Sequence, residues 1–69
     1  MVDEETFNLS LRRFLKKFGI TAQREIERAV RAAVDEGRIA GTESFRASAR
    51  LRVPEIGLDT EIDGELSLK

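Results

Sequence analysis

The segment with the clearest chemical potential is Asp59-Thr60-Glu61-Ile62-Asp63-Gly64. Oxygen-bearing side chains at its first, third and fifth positions, with glycine at the sixth, match the opening of a calcium-binding EF-hand loop. Such a loop closes on a bidentate glutamate at its twelfth position, which here falls beyond Lys69. The same residues alternate as a β-strand does, and a solvated strand face paired with arginines accounts for them without a metal. Serines are available as nucleophiles at Ser10, Ser44, Ser48 and Ser67, yet the chain has no histidine, cysteine or tyrosine to activate them. No glycine-rich phosphate loop is present. Carboxylates beside arginines have their pKa values held low, the reverse of what a buried general acid needs. The expectation is a protein that is not an enzyme, with no catalytic residues, no cofactor and no metal.

Cations are the second candidate. Arg24, Arg28 and Arg31 recur at i, i+4 and i+7 and form a ridge on a helix, and Arg12, Arg13, Lys16 and Lys17 form another patch. Either suits a phosphate-bearing ligand or an acidic protein, although solvated helix faces with weak local ion pairs look the same in sequence. Leu9 joins this candidate partner surface because it points about 200° away from Phe7 on a helical wheel, on the side of Val2. Gly19-Ile20-Thr21 resembles the turn of a DNA-binding helix-turn-helix. Leu15 stands where that motif carries a small residue, and Glu25 where it carries an aliphatic one. The pI near 5.4 also lacks a basic footprint. Nucleic-acid binding through the basic patches stays as the alternative to protein interaction.

These residues need elements to position them. Asp3 suits the N-cap of a first helix over about 4–18, with Glu4 and Glu5 in its first turn. Phe7, Leu11, Phe14, Leu15 and Phe18 form its apolar stripe. Gly19 predicts a left-handed stop, with Ile20 folding back on Leu15 and Thr21 capping a second helix over about 22–36. The second stripe is Ile26, Ala29, Val30, Ala33 and Val34. Glu27 with Arg31, and Arg31 with Asp35, are opposite charges four apart. Gly37 ends this helix, Ile39 anchors the next loop and Gly41 bends it.

From Ser44 the period changes to two, predicting strands over about 44–53 and 58–68 joined by Pro54-Glu55-Ile56-Gly57. Pairing Val53 with Leu58 sets the register. Leu51 then faces Thr60, Ala49 faces Ile62, Ala47 faces Gly64 and Phe45 faces Leu66. On the other side Arg52 faces Asp59, Arg50 faces Glu61, Ser48 faces Asp63 and Arg46 faces Glu65. A slip of one residue would set apolar side chains against charged ones. The fold class expected is α+β, with a two-helix N-terminal hairpin packed on a C-terminal antiparallel β-hairpin (α-α-β-β), as a single domain over 1–69.

The bulk properties agree. Twelve basic and thirteen acidic residues leave a net charge of −1. Residues 1–53 carry +3 and residues 54–69 carry −4, so the C-terminal acids complement basic groups in the strand before them. No stretch approaches the roughly 18 apolar residues of a membrane span, and the acidic start lacks a secretory signal pattern. Cytoplasm is the expected location, with no membrane partner. A domain this small is marginally stable alone. A lone two-stranded sheet has open edges, which suggests a homodimer formed edge to edge.

Glu5-Thr6-Phe7-Asn8-Leu9-Ser10-Leu11-Arg12-Arg13-Phe14-Leu15-Lys16, Gly19-Ile20-Thr21 and Gln23-Arg24-Glu25-Ile26-Glu27 resemble a family of small bacterial proteins. Its members are about seventy residues long, the size of one domain, and are catalogued only as a domain of unknown function. The likeness extends, more loosely, through Gly37-Arg38-Ile39 and Ile62-Asp63-Gly64-Glu65. It implies a compact bacterial protein and supplies no activity and no site residues. The function expected is a non-enzymatic protein-interaction module, with an unidentified protein partner or a second copy.

Overall fold

The computed structural model describes every residue from Met1 to Lys69 and divides into two units, Met1–Glu36 and Gly37–Lys69. The fold is α+β. One long helix, α1 (Glu4–Asp35), is followed by an antiparallel hairpin of β1 (Ser44–Val53) and β2 (Leu58–Ser67).

Asp3 caps α1 as its sequence position implies. Its carboxylate accepts from the backbone N–H groups of Glu5 at 3.1 Å and Thr6 at 3.4 Å, and from the Thr6 hydroxyl at 3.0 Å. The N–H of Phe7 donates to the Asp3 carbonyl at 2.9 Å, the first hydrogen bond of the helical ladder. Glu4 and Glu5 then sit at the positive end of the helix dipole.

The expected two-helix hairpin does not form. α1 runs without a break through Gly19, Ile20 and Thr21 for 32 residues, and Gly19 is not among the glycines with positive φ. Ile20 therefore makes no Schellman contact with Leu15, and Thr21 caps nothing. The energetics explain the outcome. A glycine inside a helix costs about 1 kcal/mol relative to alanine. Ending the helix there would strip about four backbone hydrogen bonds from the ladder, each contributing roughly 0.5–1.5 kcal/mol. No proline stands in the segment to force a break, so continuation wins. The stop falls at Gly37 instead, with φ +74°, immediately after the C-cap Glu36.

In the second unit the register agrees with the sequence pattern at all ten Cα pairs, from Ser44 with Ser67 to Val53 with Leu58. Pro54–Ile56 form a single 3-10 turn, and Gly57 closes it in the left-handed region at φ +68°. The Gly57 N–H donates to the Pro54 carbonyl at 3.0 Å. Along β1, Phe45, Ala47, Ala49, Leu51 and Val53 are half-buried and alternate with exposed residues.

The root of the hairpin is tied by a residue with no signal in the sequence reading. The Glu43 carboxylate accepts from three successive backbone N–H groups, those of Ala40, Gly41 and Thr42, at 2.8, 2.9 and 3.0 Å. The Glu43 carbonyl also accepts from the N–H of Leu68 at 2.9 Å. This one residue thus shapes the loop and pins the C-terminal end of the chain beside β1.

Candidate functional site

Because α1 is continuous, its two apolar stripes join into one. Phe7, Leu11, Leu15, Phe18, Ala22, Ile26, Ala29 and Ala33 follow spacings of 4, 4, 3, 4, 4, 3 and 4. That repeat of eleven gives about 3.67 residues per turn, close enough to the helix period to keep one face over the whole length. At 1.5 Å per residue the face is about 39 Å long. Its large side chains are in solvent: Phe7, Phe14 and Phe18 are 51%, 50% and 48% exposed. Midway along it lies an open depression lined by Phe14, Lys17, Phe18, Thr21 and Ala22.

The basic residues take up the rest of the helix. Arg12, Arg13, Lys16 and Lys17 spread around its polar side within two turns. The ridge of Arg24, Arg28 and Arg31 is partly neutralised within its own helix. Arg28 bridges Glu25 at 3.2 Å and Arg31 reaches Glu27 at 4.0 Å. Of the two pairs expected for Arg31, its guanidinium takes the one toward Glu27 rather than Asp35. Exposed pairs of this kind contribute little. With no turn at residues 19–21, the chain has no helix-turn-helix geometry there.

Leu9 is exposed, as expected for the candidate surface, and so is Val2. The sequence reading missed a further member. Ile20, exposed as well, lies eleven residues after Leu9 and hence three turns along the same side. The spacing of eleven shows it once α1 is continuous through Gly19.

On the hairpin, the charged face holds its partners diagonally. The Arg50 guanidinium grips Asp59 with two hydrogen bonds, Nε to Oδ1 at 2.9 Å and Nη2 to Oδ2 at 2.7 Å. Arg46 reaches Asp63 at 3.2 Å. The direct pairs drawn from register, Arg50 with Glu61 and Arg46 with Glu65, are thus replaced by neighbours two residues along. Strand twist brings one diagonal closer, and arginine is long enough to use it.

The pKa shifts follow these contacts. The Arg50 hydrogen bonds hold the Asp59 carboxyl below its usual range, and Asp59 raises Arg50 in return. Glu43 is lowered by the backbone N–H groups of Ala40 and Gly41. Asp3 is lowered chiefly by the Thr6 hydroxyl and then by the Thr6 N–H. The calcium-loop-like segment lies wholly in β2, and no three acidic side chains in the chain converge as metal ligands. No helix is long and apolar enough to cross a membrane.

No curated protein and no solved structure matches the chain. A family model does, over residues 2–69, and it is described as a family of unknown function. That match takes in the capped helix, the loop and both strands, in line with the resemblance carried by the N-terminal motifs. The chain belongs to the family of unknown function DUF6494.

Proposed function

We propose that this protein is a non-enzymatic interaction module of the cytoplasm whose binding surface is the apolar face of α1. The observation that carries the reading is the continuous stripe from Phe7 to Ala33 with half-exposed phenylalanines. Monomeric proteins rarely leave a contiguous apolar patch of more than a few hundred Å² in water, and larger ones mark interaction sites. An amphipathic helix offering residues at i, i+4 and i+7 matches a common mode of protein recognition. The basic side chains around it then act as a rim that favours an acidic partner and speeds encounter.

The test is a pull-down with the tagged full chain from a bacterial lysate, treated with nuclease, beside a Phe14→Asp/Phe18→Asp variant and an Arg24→Glu/Arg28→Glu/Arg31→Glu variant. A partner retained by the wild type and lost with the phenylalanine variant supports the reading. A partner lost only with the arginine variant moves the surface to the basic ridge. Capture that disappears with nuclease assigns the protein to nucleic acid. Recovery of neither a partner nor a second copy ends the interaction reading.

A further inference from the structure

The apolar face of α1 is graded in size. Its N-terminal half carries Phe7, Leu11, Phe14, Leu15 and Phe18, while its C-terminal half carries the smaller set Ala22, Ile26, Ala29, Val30, Ala33 and Val34. Four pairs of this face are symmetric about residue 20. Phe7 and Ala33 are equally far from that point, as are Leu11 and Ala29, Phe14 and Ile26, and Phe18 and Ala22. We propose that the occupant of this face is a second copy of the chain, its helix antiparallel to the first and crossing it at residue 20. The proposal rests on the interaction reading above and names its partner.

In that arrangement Phe7, Leu11 and Phe18 each come level with an alanine of the other copy, Phe14 with Ile26 and Leu15 with Glu25, so large side chains meet small ones at three of the five levels. A parallel pair would stack Phe7, Phe14 and Phe18 against their own copies at one end. It would leave alanines facing alanines at the other, giving a wedge with a gap. The antiparallel pair is isologous about a two-fold axis, as a closed dimer requires. Glu25, the one charge intruding on the seam, is drawn toward the flank by Arg28 at 3.2 Å.

The area is sufficient. With phenylalanine at roughly 200 Å², three half-exposed rings present about 300 Å², and the aliphatic residues about double that. Two copies then bury about 1,200 Å², the lower bound for a specific interface. A lipid surface is a poorer match. The C-terminal half has no aromatic side chain to insert, Glu25 stands at the edge of its apolar face, and Glu27, Asp35 and Glu36 lie around it among three arginines.

The absence of native cysteine makes orientation directly readable in the full chain. Gly19 and Asn8 lie on one flank of the stripe, and an added Cβ at Gly19 meets nothing within 4 Å. In the antiparallel pair the two copies of residue 19 lie about 3 Å apart along the axis, and those of residue 8 about 36 Å. Sedimentation equilibrium of the wild type should give a dimer at tens of micromolar. Mild oxidation should cross-link Gly19→Cys and leave Asn8→Cys monomeric on a non-reducing gel, with circular dichroism confirming the helix in each.

Equal cross-linking at both positions overturns the antiparallel arrangement. A wild type of monomer mass at several hundred micromolar, with its helix intact, overturns the second copy altogether. In that case, capture of another protein that is lost in Phe14→Asp/Phe18→Asp leaves the interaction reading standing with a foreign partner. Binding of the monomer to phosphatidylglycerol vesicles instead assigns the face to lipid. Failure of every arm sinks both readings.

Discussion

The helix and the hairpin place the same residue type under opposite demands. Gly19 sits inside α1 with ordinary helical backbone, whereas Gly57 closes the hairpin turn at φ +68°. Glycine is permissive of both conformations, so its presence names neither. What separates them is the surrounding pattern. Around Gly57 the period-two alternation ends at Val53 and resumes at Leu58, with Pro54 starting the turn. Around Gly19 the apolar spacing of one helix face passes through unchanged. A break is therefore diagnosed by a change of period or phase, and a lone glycine without one is tolerated.

The strongest way to break this comparison is proline at residue 19. Gly19→Pro should cost about 3 kcal/mol or more, because it removes a ladder hydrogen bond and clashes with the preceding turn. Helical ellipticity should fall sharply. If residues 19–21 formed a loop between two helices, the same change would leave ellipticity nearly intact.

Next in size is Gly57→Ala, which forces a side chain into the left-handed region and should destabilise the hairpin by about 1–2 kcal/mol. Gly19→Ala should act in the opposite direction, stabilising by about 0.5–1 kcal/mol, since the added methyl meets nothing. Thermal melts of the two variants read this directly. Destabilisation by Gly19→Ala would contradict a continuous helix.

Acid should sharpen the contrast with a smaller effect in each unit. Asp3, Glu43 and Asp59 have folded-state pKa values below their ordinary ones. The unfolded chain therefore takes up protons first as pH falls. Their stabilisation is complete above the ordinary carboxylate range near pH 4 and is lost as pH drops through and below it. Asp3→Asn should reduce the acid sensitivity of the helix signal, and Asp59→Asn that of the hairpin. An acid response unchanged by both substitutions would remove these contacts as its source.

The smallest effect concerns the diagonal pairs. Asp59→Asn combined with Arg50→Gln should be no more destabilising than either change alone, because the two groups act as one unit. Strictly additive losses in a double-mutant cycle would show that Arg50 and Asp59 do not share an interaction.

How far the fold was legible depends on how many independent constraints met at each element. The hairpin had three: alternation, a proline-and-glycine turn, and opposite charges. Together they left one register open, and all ten Cα pairs follow it. The N-terminus of α1 had an N-cap and acidic first turn, and Asp3 serves as read. The middle of α1 had only Gly19, which competes weakly with a ladder of backbone hydrogen bonds. That error also hid the union of the two stripes and the alignment of Ile20 with Leu9. Glu43 escaped notice because its role depends on three N–H groups converging, a matter of loop conformation that carries no residue pattern.

The sequence by itself determined the helical and strand periods, the capping of α1 at Asp3, the end of that helix before Gly37 and the pairing of β1 with β2. These follow from local backbone preferences and from side-chain patterns that only one pairing satisfies. The folded structure decided what depends on competing energies and on geometry at close range. It carried the helix through Gly19, because a continuous ladder outweighs one glycine. It turned Arg46 and Arg50 to diagonal partners, because strand twist sets distances that register does not, and it gathered three amides around Glu43, because the loop brings them within reach of one carboxylate.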